Sequence, residues 1–453
     1  MSLTNSSPEQ AARAAKVSSR KLATLSVNAR NNALDAIHDA LSNAKDSILA
    51  ANAEDLAKAK QSTANGELNA SIYKRLDLSR PGKFDDMLQG IRDVKGLPDP
   101  VGRVDLRTEL DDNLILQRQT CPIGVLLIIF EARPEVIANI ASLAIKSANA
   151  AILKGGKEST ESFKTIANII SQALQKTEVP SDSIQLVATR DAVGGLLEQG
   201  EFIDLCIPRG SNELVKYCQQ KAHMPVLGHA DGLCSVYVHS DAEVGMVVDV
   251  VVDSKTDYPA ACNALETLLA NEDALETVLP SLATALQAKG VTLKCDAKSK
   301  EALTKALDKD QSSQLQDATD QDYDTEFLDL VLAIKTVSSV SEAIEHINTH
   351  GSHHTDAIVT ASKEIADQFL NGVDAACKFW NASTRFCDGM RFGFGTEVGI
   401  STNKVHARGP VGLEGLTIHE YRITGNGQMA ASYGTGAGKR QYKHKKLELP
   451  NGI

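Results

Sequence analysis

One of the eight thiols in this chain does not sit like filler. In "SKTDYPAACNALETLLA" (254–270), Cys262 follows Pro259-Ala260-Ala261, and Leu265, Leu268 and Leu269 recur behind it at helical spacing. The spacing predicts a helix whose first turn carries the thiol. Unpaired backbone N–H groups and the positive end of the helix dipole would there favour thiolate over thiol. The same N–H groups could hold an oxyanion on a carbonyl carbon attacked by the sulfur. Position alone leaves two readings open: a nucleophile, or the small buried hydrophobe that most cysteines are. Cys121, Cys206 and Cys234 lie in apolar, strand-like runs, and Cys218, Cys295, Cys377 and Cys387 have no special context.

Three strand ends and one loop add candidate binding groups. "AAILKGGKES" (150–159) ends a strand in Lys154, Gly155, Gly156 and Lys157 before a helix. Glycine lets a ligand approach the backbone, and the lysines suit phosphate, although a tight strand-to-helix turn explains the same letters. "IPRGSNELV" (207–215) places Ser211 at a helix start, as a cap or facing a pyrophosphate. "FEARPEV" (130–136) puts Glu131 and Arg133 at the carboxyl end of the most apolar strand, where parallel sheets bind ligands. The loop 381–410 gathers Ser383, Thr384, Arg385, Arg391, Thr402, Lys404 and Arg408 among glycines, a set suited to carboxylate or phosphate. "GTGAGKR" (434–440) fails as a phosphate loop, because Tyr433 and Arg440 stand where glycine and Ser/Thr are required. His346 and His350 have metal-compatible spacing but no supporting carboxylate or cysteine pattern, so no metal is expected.

These groups need a scaffold, and the rest of the chain describes one. Residues 8 to about 76 read as successive helices, opened by Ser7-Pro8-Glu9-Gln10. Asp111-Asp112-Asn113 separates two extended stretches between 103 and 120, a hairpin. From 121 onward, apolar strands alternate with helices in two successive regions, which predicts α/β architecture with parallel sheets covered by helices. The chain's 453 residues allow two to three domains, and its net charge of −11 argues against a general nucleic-acid binder. No signal-type or membrane-spanning apolar run occurs, and the cysteines form no C-x-x-C pair. A soluble cytoplasmic protein with free thiols is expected.

Taken together, "EARP" (131–134), "LKGGKE" (153–158), "PRGSNELV" (208–215), "DYPAACNALETLL" (257–269) and "FGFGTEVGISTNKVHARGPVGL" (392–413) resemble the aldehyde dehydrogenase superfamily, and within it the branch that reduces glutamyl phosphate. The resemblance implies two Rossmann-type parallel-sheet domains plus a strand arm used in homo-oligomerisation. It implies a cofactor-binding domain over 1–233, a catalytic domain over 234–410, and a return to the cofactor domain and arm over 411–453. It makes Cys262 the catalytic nucleophile. It makes Lys154, Ser211 and Glu326 cofactor contacts; Gly155, Gly156 and Lys157 join them from the strand-end and charge reading, and Arg133, Asn263, Ser383, Thr384, Arg385 and Arg408 are the candidate substrate contacts. The implied reaction is NADPH-dependent reduction of L-glutamyl 5-phosphate to L-glutamate 5-semialdehyde through a cysteine thioester, in proline biosynthesis. Whether glutamate 5-kinase docks to hand over the labile acyl phosphate is left open.

One departure bears on the reaction. Relatives that oxidise aldehydes carry a glutamate base in Glu-Leu-Gly-Gly, whereas "LGHADGLCSVYV" (227–238) has no glutamate. Hydrolysing a thioester needs a base to activate water; an acyl group that arrives as a phosphate does not. NAD-dependent oxidation of another small aldehyde and a catalytically silent scaffold are the alternatives.

Overall fold

The computed structural model describes residues 3–4, 7–65, 73, 75–131, 133–187 and 192–450. Part of the helical stretch expected up to about residue 76, and Ala132 in the strand-end motif, lie outside the described residues. Helices Pro8–Leu22, Val27–Asn43 and Lys45–Ala64 form the amino-terminal layer. The first is opened by a capping box between Ser7 and Gln10, with Pro8 in its first turn, as the letters predict. Leu34, Ile37, Leu41 and Ile48 are buried on one face.

The first sheet orders its strands Leu3–Thr4, Ile184–Val187, Ala150–Gly155, Val125–Phe130 and Leu205–Arg209, all parallel. Every residue of Val125–Phe130 is buried, which is why that strand reads as one unbroken apolar run. The second sheet has seven parallel strands, in the order Gln316–Asp317, Thr292–Cys295, Val331–Val337, Leu265–Asn271, Cys234–Val238, Thr355–Val359 and Cys377–Trp380. The two sheets, with helices on their faces, are the α/β architecture that the alternation predicts.

A separate antiparallel sheet pairs Thr417–Thr424 with Leu114–Pro122, then Val104–Asp111, then Lys445–Lys446. The two middle strands are the expected hairpin, and Asn113 takes the left-handed conformation in its turn (φ 59°). Among the described residues, no helix is long and apolar enough to cross a membrane.

One element differs from expectation, and it is the one carrying the thiol. Residues 265–271 form a central strand, not a helix, and all seven are buried. A strand covered on both faces has no polar side to reveal its period of two, so its leucines fit helical spacing equally well. Cys377–Trp380 is the sheet's last strand.

Candidate active site

Parallel strands share one amino edge, and the order of the second sheet puts three of their lead-in turns side by side. Cys262 precedes Leu265–Asn271, His229 precedes Cys234–Val238, and His354 directly precedes Thr355–Val359. These strands are consecutive neighbours. The Cys262 sulfur and one ring nitrogen of each histidine consequently lie within 4.8 Å of one another. Cys262 is half-buried and reachable; His354 is wholly buried. The helix-dipole argument for activating the thiol falls away, because a turn between helix Val244–Thr256 and the strand presents Cys262.

Several contacts hold that turn rigidly. Ala261 N–H donates to the Tyr258 carbonyl at 3.1 Å, and Ala264 N–H to the Ala261 carbonyl at 2.9 Å. Tyr258 is left-handed (φ 63°), as are His353 (φ 62°) beside His354 and Leu328 (φ 55°) near Glu326. Bulky residues keep such backbone only where their surroundings impose it, commonly at functional sites. Gly232 packs so closely on the turn that a Cβ there would lie 2.0 Å from the Cys262 carbonyl oxygen. Asn263 is buried; its amide donates to the Cys387 carbonyl at 2.8 Å while its side-chain oxygen accepts from Arg385. Asp257, on the other flank, pairs with Arg391 at 3.0 Å and Arg385 at 3.4 Å.

The charges around the thiol come from both sheets. Arg209 ends the strand Leu205–Arg209. Burial, and then the neighbouring Arg133, push its guanidinium down to about 10, while Glu397 and Cys262 act on it in the opposite sense. Burial pushes Glu397 up to about 7, against the pull of Arg209. Glu326 accepts the Gly232 N–H at 3.0 Å, which ties it to the same turn, and burial raises its carboxyl above the ordinary range. Arg209 and Glu397 are site residues that sequence reading missed. The rule that singled out Arg133, a charge at the carboxyl end of a parallel strand, applies equally to Arg209. His229 and His354 were missed too, because only sheet order makes them neighbours.

A second locus lies at the carboxyl end of strand Ala150–Gly155. A cavity of about 150 Å³ is lined by Lys154, Gly155, Gly156, Lys157, Lys164 and Thr160, with Phe163, Leu186 and Val187. A Cβ on Gly155 would strike the Phe163 ring at 2.1 Å, so only glycine fits there. Lys154 is half-buried, which lowers its ammonium pKa, and it donates to the Gly155 carbonyl at 2.6 Å. Ser211 is not part of this lining. It caps helix Asn212–Lys221, accepting from Leu214 N–H, while its own N–H donates to Glu131 at 3.1 Å. That helix start already faces a carboxylate.

The remaining substrate candidates divide. Ser383 and Thr384 are buried and bonded to Ser254, so they anchor the loop. Arg385 lies against the Cys262 turn through Asn263. Arg408 pairs with Asp374 at 2.9 Å; Lys404 and Arg408 together hold that carboxyl down to about 2. His350 pairs with Asp324 at 2.8 Å, which occupies one member of the 346/350 pair.

A sequence model of the aldehyde dehydrogenase family matches residues 2–325. The chain is 54% identical to the probable gamma-glutamyl phosphate reductase of Schizosaccharomyces pombe, over 98% of each chain. It is 49% identical to the gamma-glutamyl phosphate reductase of Saccharomyces cerevisiae, over 98% of this chain and 99% of that one. The crystal structure of gamma-glutamyl phosphate reductase from Thermotoga maritima superposes with a TM-score of 0.88 at 35% identity, covering 94% of this chain and 100% of that one.

Proposed function

The chain belongs to the aldehyde dehydrogenase family, and we propose that it reduces L-glutamyl 5-phosphate to L-glutamate 5-semialdehyde, the acyl-phosphate step of proline biosynthesis. The observation that carries the reading is a reachable thiol, in a hydrogen-bonded turn, with Arg209 beside it and no glutamate in the stretch 227–238. Cys262 attacks the acyl carbon, phosphate leaves with the bonding electrons, and a thioester forms on the sulfur. Arg209 and Arg133 face the departing charge. A nicotinamide cofactor, when bound, supplies the hydride that reduces this thioester. The resulting hemithioacetal oxyanion collapses, returns the thiolate and frees the aldehyde. No step consumes water, which agrees with the lack of a hydrolytic base.

The residues present fit such a cofactor. The lysine-lined cavity accepts an anionic nucleotide end, and Lys154, Lys157 and Lys164 favour the extra 2′-phosphate of NADPH over NADH. Glu326, tied to the nucleophile turn, would hold the nicotinamide ribose. Ser211 would meet pyrophosphate only if Glu131 swung away. Arg385 would grip the substrate's α-carboxylate from beside Asn263.

The antiparallel arm serves assembly with further copies of the chain. Its outer strand Thr417–Thr424 leaves Ile418, Tyr421 and Ile423 exposed along an unpaired edge, a surface that proteins ordinarily cover.

The test runs the reaction backward, because the forward substrate is labile. Purified protein receives glutamate 5-semialdehyde and NADP with or without phosphate, and reduced cofactor is followed by absorbance. Phosphate-dependent reduction supports the reading. Phosphate-independent reduction would replace it with aldehyde oxidation.

A further inference from the structure

The donors around Cys262 do more than flank a nucleophile. We propose that Cys262, His229 and His354 form an inhibitory site for a thiophilic divalent cation of the zinc class, reversibly closing the active site proposed above.

Geometry comes first. The three donor atoms lie within 4.8 Å of one another. Zinc binds nitrogen at about 2.0 Å and sulfur at about 2.3 Å, so one sulfur and two nitrogens in a tetrahedral site stand roughly 3.3–3.5 Å apart. Closing the widest gap takes up to about 1.5 Å, within reach of side-chain torsion adjustments at half-buried Cys262 and His229.

Tautomer and satisfaction come second. His229 Nδ1 lies 2.9 Å from the Ile400 carbonyl oxygen. A carbonyl only accepts, so Nδ1 carries the hydrogen and Nε2 is left with its lone pair. This is the outer contact that orients a metal-ligating imidazole. His354 Nδ1 lies 2.8 Å from the Thr355 hydroxyl. Its Nε2 is buried, in a wholly buried residue, and has no hydrogen-bond partner. An unsatisfied buried nitrogen is costly, and a cation would relieve it.

Donor chemistry comes third. One thiolate and two neutral imidazoles, without a carboxylate, select zinc-like ions over magnesium or calcium. Cys234, 3.8 Å from His354 Nδ1, stays out of the set because its thiol is buried and donates to the Cys262 carbonyl at 3.3 Å. Three protein ligands leave a fourth position for water, the open geometry that permits exchange. Binding forms a sulfur–metal bond and releases the thiol proton; nothing is oxidised. A ligated sulfur cannot attack the acyl carbon, and an acylated sulfur cannot ligate, so metal and acyl phosphate exclude each other. Arg209 nearby opposes the added positive charge and limits affinity, which suits a reversible brake.

The test uses metal-free, full-length protein without substrate or cofactor. Titration with Co2+ should yield the intense visible bands of a four-coordinate site and a thiolate-to-cobalt charge-transfer band. Cys262→Ser should abolish the charge-transfer band. His354→Gln and His229→Asn should each weaken Zn2+ binding, measured by displacement of Co2+, by more than about tenfold. His229 is half-exposed, so its variant decides the matter should the buried one fail to fold. A pale six-coordinate spectrum, or a thiolate band unaffected by His229→Asn, would overturn the proposal. The spectrum needs no turnover, so a cobalt site in a protein without reductase activity would sink only the proposed reaction.

Discussion

At the scale of single residues, Cys262 and Asp356 make separable claims. Cys262→Ala should cut turnover by more than roughly a thousandfold and leave NADPH binding nearly intact; steady-state rates and cofactor fluorescence titration check both halves. Asp356 is fully buried in strand Thr355–Val359. One oxygen accepts the Ser235 N–H at 2.8 Å, and the other has no partner. Burial pushes this carboxyl up to about 7. Between an ordinary carboxylate pKa of about 4 and that value, the folded state holds a proton that the unfolded chain has released. Asp356 therefore costs no stability at the acid end, and its penalty grows as pH rises toward 7. Asp356→Asn should flatten this descent in urea melts at about pH 5 and about pH 8. An unchanged difference would show that the carboxyl does not titrate there. The Cys262 cluster taught a related lesson. The thiol was visible from Pro259-Ala260-Ala261-Cys262, but the helix meant to activate it was not there. Its neighbours are Arg209 and two histidines from distant segments.

At the scale of elements, adjacency within a parallel sheet is the device that builds the site. Leu265–Asn271, Cys234–Val238 and Thr355–Val359 pair side by side and parallel, with one register shift at Cys234/Ser235, so their lead-in turns converge although they are far apart in the chain. Gly232 sets the spacing between two of those turns. Gly232→Ala would force the added Cβ into the Cys262 carbonyl, which is backbone and cannot swing aside. The expected result is a loss in kcat of roughly a hundredfold, as for a misplacement of about 1 Å, together with altered alkylation of Cys262. Normal kcat in a folded variant would mean that the turn tolerates displacement. The strand–helix rhythm was legible because apolar runs and breakers alternate so regularly. Leu265–Asn271 was not, because burial on both faces erases the polar half of the pattern.

At the scale of the whole molecule, the arm's outer strand Thr417–Thr424 is an unpaired sheet edge among the described residues. Ile423 is 62% exposed and Tyr421 65% exposed on its outer strand, more than a stable monomer would be expected to leave on a sheet edge. Ile423→Lys should lower the assembly state seen by sedimentation velocity without unfolding the chain; an unchanged state would place the interface elsewhere. The residue types, the alternating architecture, the hairpin and the thiol's candidacy were determined by sequence, because propensity, turn chemistry and hydrophobic period are local properties. So was the missing hydrolytic glutamate, a matter of which letters stand between Leu227 and Val238. Only tertiary structure decided what surrounds the sulfur. It brought His229 and His354 to Cys262, turned Arg209 inward, placed Glu131 at the helix start assigned to pyrophosphate, and paired Arg408 with Asp374. Those outcomes depend on which strands lie side by side and how the two sheets face each other, and long-range pairing leaves no period in the chain to read.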